Sequence, residues 1–129
     1  MRLRPVLLGC TAAAVAMASV HGPLAETGHL ALALFLALTA CTYPGALLAQ
    51  NSSTMTVASE LAVAATVLVL AYAGATGSVV WLGAGYALHG LWDWLHDLQL
   101  VSTRVATWFP PLCAAFDLVV AGWILVVLA

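Results

Sequence analysis

Apolar residues in this chain fall into five long runs, separated by short stretches that are polar or rich in Gly and Pro. The runs extend from Leu3 to Val20, Gly28 to Leu48, Met55 to Ala73, Ser78 to Leu98 and Pro110 to Leu128. Each approaches the ~20 residues with which a helix crosses a bilayer. His21-Gly22-Pro23 closes the first run, and Pro44-Gly45 predicts a kink or fraying near the end of the second. The cluster Gln50-Asn51-Ser52-Ser53-Thr54 reads as the clearest loop, and Gly74-Ala75-Thr76-Gly77 as a tight connection. A polar stretch with Gln99, Ser102, Thr103 and Arg104 precedes the last run. Pro110-Pro111 suits a helix start, where a missing N–H costs nothing. The pattern predicts an all-α, polytopic transmembrane helix bundle of five spans, forming one domain over residues 1–129 without repeats or linkers.

Composition supports lipid as the surrounding medium. Hydrophobic residues make up 64% of the chain and charged residues 6%, against about 25% charged in soluble domains. So few charges cannot cover a water-facing surface. Three arginines and no lysine give no basic stripe for nucleic acid. Cys10, Cys41 and Cys113 lie in separate apolar runs with no CxxC, so no disulfide framework can be read, and Cys10 and Cys41 read as small buried hydrophobes.

The first run has a second reading. Arg2 and Arg4 precede Val6 to Val20, and Ala16-Met17-Ala18 has the form of an A-x-A cleavage site. Removal of a signal peptide there would leave four spans. Leu7-Leu8-Gly9-Cys10 has the form of a lipoprotein box, but almost no apolar stretch precedes it. With five spans and a cytoplasmic N-terminus, Arg2, Arg4 and Arg104 all fall on the inner side, as the positive-inside rule requires.

The informative residues are ionisable ones at span depth: Glu60, His89, Asp93, His96 and Asp117, with Asp97 at a boundary. His89, Asp93 and His96 are spaced four and three apart, so a helix stacks them on one face. Gly85, Tyr86 and Trp92 lie on or beside that face. Ala84, Ala87, Leu91, Trp94 and Leu98 form the opposite, lipid-facing back. In an antiparallel bundle, Glu60 and Asp117 reach similar depths, although depth alone does not establish which helices touch. The donor types suit a metal site for zinc, iron or manganese, and Asp93-x-x-His96 has the spacing of helical di-metal carboxylate motifs, here occurring once. A metal-free hydrogen-bonded network or proton relay, and simple helix-to-helix pairing, are the competing readings. The five tryptophans read as packing or interfacial anchors, and His21 and His29 as solvated loop residues.

The residues Ser59-Glu60-Leu61, His89-Gly90-Leu91-Trp92-Asp93-Trp94-Leu95-His96 and Cys113-Ala114-Ala115-Phe116-Asp117 together resemble a family of small bacterial membrane proteins of unknown function. That family's pattern has a Trp-Glu-Leu entering one helix, a His-x-x-x-Asp-x-x-His-His run, and a Cys-x-x-Phe-Asp near the last helix. The resemblance implies a site of Glu60, His89, Asp93, His96, Cys113 and Asp117 in a bacterial inner membrane. Asp97 stands where the pattern has a second His. The resemblance covers the second half of the chain, and the first half matches in hydrophobicity alone.

Three functions follow as expectations. The first is a membrane-embedded metal-dependent enzyme, a hydrolase or oxidase acting on a lipid or other apolar substrate. His89, Asp93, His96, Asp117 and Glu60 would supply the ligands, with Glu60 or Asp93 as catalytic base. The second is a non-enzymatic accessory subunit bound to a membrane-protein partner or to further copies of itself. The third is a small transporter or proton pathway.

Overall fold

A computed structural model describes residues 2–129. Their regular secondary structure is all helical, with no strand among the described residues. Helix α1 spans Leu3–His21, α2 Gly28–Ala40, α3 Thr42–Leu47, α4 Thr54–Thr76, α5 Val79–Asp97 and α6 Phe109–Trp123. A π-helical turn over Ile124–Leu128 extends α6. Four helices are long and apolar enough to cross a membrane: Leu3–His21, Gly28–Leu47 (α2 with α3), Thr54–Thr76 and Phe109–Leu128. Large apolar side chains on their outer faces are bare, with Leu38 74%, Met55 77% and Val126 82% exposed. Such surfaces fit a membrane environment.

The boundaries have local causes. The second run breaks at Cys41, ahead of Pro44, and resumes as the single short helix α3. Pro44 has no amide to offer Ala40, so the ladder cannot pass through it unchanged. Ser53 and Ser78 cap α4 and α5, accepting from the amides of Thr56 (3.2 Å) and Val80 (3.3 Å). Helix α4 outruns its expected end at Ala73 and continues through Thr76, leaving only Gly77-Ser78 as the connection. Gly74 makes this close return possible, since a Cβ there would lie 2.5 Å from that of Leu82. At the other end of α5, Gln99 takes a left-handed φ of 57°. The Leu100 amide donates to the Leu95 carbonyl and the Gln99 amide to that of His96, closing the helix with a Schellman turn.

Helix α5 is the centre of the packing: α4 and α6 flank it, α2 packs on α4 and α5, and α1 lies outside on α6. The apolar core runs through Leu36, Val67, Leu82, Tyr86, Val120 and Ile124. The expected two-faced character of α5 is present. Gly85, Tyr86, His89 and Asp93 are buried while Leu91, Trp94 and Leu98 are exposed. One expectation fails for the cysteines. Cys41 is exposed rather than buried, because it sits at the α2–α3 break with its thiol donating to the Ala37 carbonyl.

Two ends of the molecule can be told apart. At one, Gln50 clasps the α5–α6 loop: its Nε2 donates to the Arg104 carbonyl (3.0 Å) and its Oε1 accepts from the Arg104 amide (2.9 Å). Arg2 and Arg104 line one cavity there. At the other, Trp123 Nε1 donates to His21 Nε2 at 3.2 Å, so the exposed His21 carries a partner beyond the solvent expected for it. His29 is exposed at the start of α2.

Candidate metal centre and its polar neighbour

All five ionisable residues singled out in the sequence are buried: Glu60, His89, Asp93, His96 and Asp117. They form two clusters that meet on α5.

The deeper cluster joins α5 to α6. His89 Nδ1 lies 2.5 Å from Asp117 Oδ2 and 3.2 Å from Asp93 Oδ2. Gly90 permits the approach, since a Cβ at that position would lie 3.0 Å from the Asp117 Cβ and 2.9 Å from the Leu118 Cγ. Tyr43 of α3 reaches in and donates its hydroxyl to Asp93 Oδ1 at 2.5 Å. Two buried polar atoms in this cluster have no hydrogen-bond partner: His89 Nε2 and Asp93 Oδ2. Buried polar atoms are paired in the great majority of cases, so these two retain unused capacity to accept a hydrogen bond or a ligand. The ligand atoms of His89, Asp93 and Asp117 lie within 4.8 Å of one another, and the group could hold a metal ion. With a hydrogen on Nδ1 facing Asp117, a neutral His89 keeps a lone pair on Nε2.

The shallower cluster joins α5 to α4 and to the α5–α6 loop. Glu60 Oε1 accepts from the Thr103 hydroxyl (2.5 Å) and faces His96 Nε2 at 2.7 Å. Its Oε2 accepts from Trp92 Nε1 at 2.8 Å. His96 Nδ1 lies 2.8 Å from the Trp92 carbonyl, so that nitrogen carries the hydrogen. One further proton is then shared between His96 Nε2 and Glu60 Oε1. Every polar atom of Glu60 and His96 is satisfied. The Tyr43 ring stacks on His96 with centroids 3.7 Å apart and planes 9° from parallel, so one tyrosine touches both clusters.

The sequence-derived set of five is therefore divided. Glu60 and His96 pair with each other, while His89, Asp93 and Asp117 share the ligand geometry. Cys113, one turn before Asp117, is a half-buried free thiol outside that group. Asp97 is half-buried and lines the cavity at the end of α5. Three participants escaped the sequence reading. Trp92 lies on the polar face of α5, where the sequence predicts packing and the structure adds a hydrogen bond to Glu60. Tyr43 sits beside a helix-breaking proline, and Thr103 lies in a loop, where no periodicity marks them.

Fold and site together define an all-helical protein, with apolar helices suited to a membrane, built around a buried His–Asp cluster. The chain belongs to a family of unknown function (DUF6010), whose family model matches residues 2–128 and so includes the N-terminal half as well. Neither a curated protein nor a solved structure matches it.

Proposed function

We propose that this chain is a membrane-embedded metalloprotein that holds one zinc, iron or manganese ion with His89, Asp93 and Asp117. The observation that carries the reading is the pair of orphaned buried atoms, His89 Nε2 and Asp93 Oδ2, inside a group of three ligand residues. One imidazole and two carboxylates suit these ions, and three protein ligands leave a position open for water or substrate. Glu60 and His96, placed among the ligands on sequence grounds, are here a neighbouring proton-holding pair. Metal-assisted hydrolysis or, with iron or manganese and dioxygen as oxidant, oxidation of a lipid or apolar substrate is the finer form of the proposal.

The proposal includes the setting. Helix α5 completes a five-span single domain because α4 and α6 flank it and it has the 19 residues needed. Arg2 and Arg104 gather at one end, which supports a cytoplasmic N-terminus in a bacterial inner membrane.

One distance favours a second reading, a metal-free proton pathway. Neighbouring ligands on a tetrahedral ion at ~2.1 Å stand about 3.4 Å apart, whereas His89 Nδ1 and Asp117 Oδ2 are 2.5 Å apart, a hydrogen-bond spacing. Elemental analysis of protein purified in detergent without chelators separates the readings. The metal proposal expects about one equivalent of metal per chain, lost in Asp93→Asn and kept in Glu60→Gln. Metal-free wild-type protein, or undiminished metal in Asp93→Asn, would overturn it.

A further inference from the structure

Two depressions meet at the arginine end of the molecule. One is a polar cavity of about 580 Å³ between the α5–α6 loop and the N-terminus, lined by Arg2, Arg104, Ser102, Thr103, Gln99 and His96, with Asp97 as its one carboxylate. The other is an apolar groove of about 540 Å³ between the starts of α1 and α6, formed by Leu3, Pro5, Leu8, Leu112 and Trp108. Arg2 lines both, and Arg4 stands on the rim of the groove. All three cationic side chains of the chain are therefore at this end, and none makes a salt bridge among the described residues. Leu3 and Leu8 are largely exposed, and Trp108 is 53% exposed beside them.

Charge and shape point to one amphipathic occupant. Guanidinium groups are forked donors that match phosphate oxygens, and hydroxyl and amide side chains add neutral donors. An apolar groove continuous with such a cavity suits a hydrocarbon chain, with a tryptophan at the level where chain and headgroup meet. We propose that this end of the protein binds one anionic phospholipid, its phosphodiester headgroup between Arg2 and Arg104 and an acyl chain along Leu3, Leu8 and Leu112. The inference deepens the functional reading by naming the substrate or ligand class. It rests on the membrane setting of that reading and not on the metal. Because His96 and Thr103 line the cavity, the headgroup lies at the mouth of the Glu60 pair.

The test is native mass spectrometry of the full chain released from nanodiscs containing equal phosphatidylglycerol and phosphatidylcholine. The expected result is retention of one phosphatidylglycerol, with a preference that falls about fivefold for each arginine replaced in Arg2→Gln and Arg104→Gln. Helical circular dichroism establishes that the variants are folded, and Arg2→Lys/Arg104→Lys restores most of the preference through charge alone. Glycerol 3-phosphate, the headgroup without chains, should not displace the lipid at equal concentration. Equal retention of the two lipids by wild-type protein, an unchanged preference in the folded double Gln variant, or displacement by glycerol 3-phosphate would each overturn the proposal. Chelator treatment should leave the preference unaltered, so failure of the metal reading and failure of this one are separately visible.

Discussion

The two polar clusters of α5 lie one to two helical turns apart, yet they are finished differently. Around Glu60 the donors converge: His96, Thr103 and Trp92 satisfy both carboxylate oxygens, and His96 is held at both ring nitrogens. Around His89 a second carboxylate is brought in by Asp117, yet Nε2 and Asp93 Oδ2 make no hydrogen bond, the latter standing 3.2 Å from Nδ1. The side chains of both clusters are buried, so an unpaired polar atom is costly in either. A saturated cluster is complete as a piece of structure, and its chemistry is limited to passing a proton. An unsaturated one of imidazole and carboxylates has coordination capacity left over. Position adds to the contrast. The saturated cluster lies against the polar cavity at the arginine end, whereas no member of the unsaturated one lines that cavity.

The contrast can be broken most sharply by removing one member from each cluster. His89→Ala leaves Asp93 and Asp117 facing each other without a cation, a change expected to cost about 3–5 kcal/mol. Glu60→Gln keeps an oxygen for Trp92 or Thr103 and should cost about 1–3 kcal/mol. Thermal unfolding in detergent checks the order, and a larger loss in Glu60→Gln would reverse the assignment of roles. Gly90→Val acts on the deeper cluster alone, because the new side chain meets Leu118 and the Asp117 Cβ. It should cost about 1–3 kcal/mol and weaken metal retention by moving α6 from α5. The smallest effect is expected for Tyr43→Phe, which keeps the stack on His96 and removes only the hydroxyl on Asp93. A loss of about 0.5–1.5 kcal/mol in folding would accompany a 10- to 100-fold weaker metal affinity. Competition with a chelator of known affinity measures it, and unchanged affinity would confine Tyr43 to packing.

Much of this was legible in the sequence, and the reasons are particular. Helix α5 announced its polar stripe because a four-and-three spacing has one reading on a helix, and its apolar back emerged at the positions the spacing requires. The burial of Glu60 and Asp117 followed from carboxylates placed inside apolar runs. Their partners did not follow, because nothing in one sequence says that α4 and α6 are the helices beside α5. Tyr43 and Thr103 were missed for the same reason: each is a single residue at a helix break or in a loop, and its role exists only through a contact some forty to fifty residues away. The join between α4 and α5 is shorter than the sequence predicts. Gly74 counted as a turn signal, whereas its missing side chain serves the close packing of Leu82.

The central claim is that a metal ion belongs to His89, Asp93 and Asp117 and not to the Glu60 pair. X-ray absorption at the metal edge of the purified protein tests it most directly. The account predicts a first shell of one imidazole nitrogen with carboxylate and water oxygens and no sulfur, with the metal edge absent from Asp93→Asn and unchanged by Glu60→Gln. A shell with two imidazoles, a sulfur from Cys113, or an edge that responds to Glu60→Gln alone would contradict it.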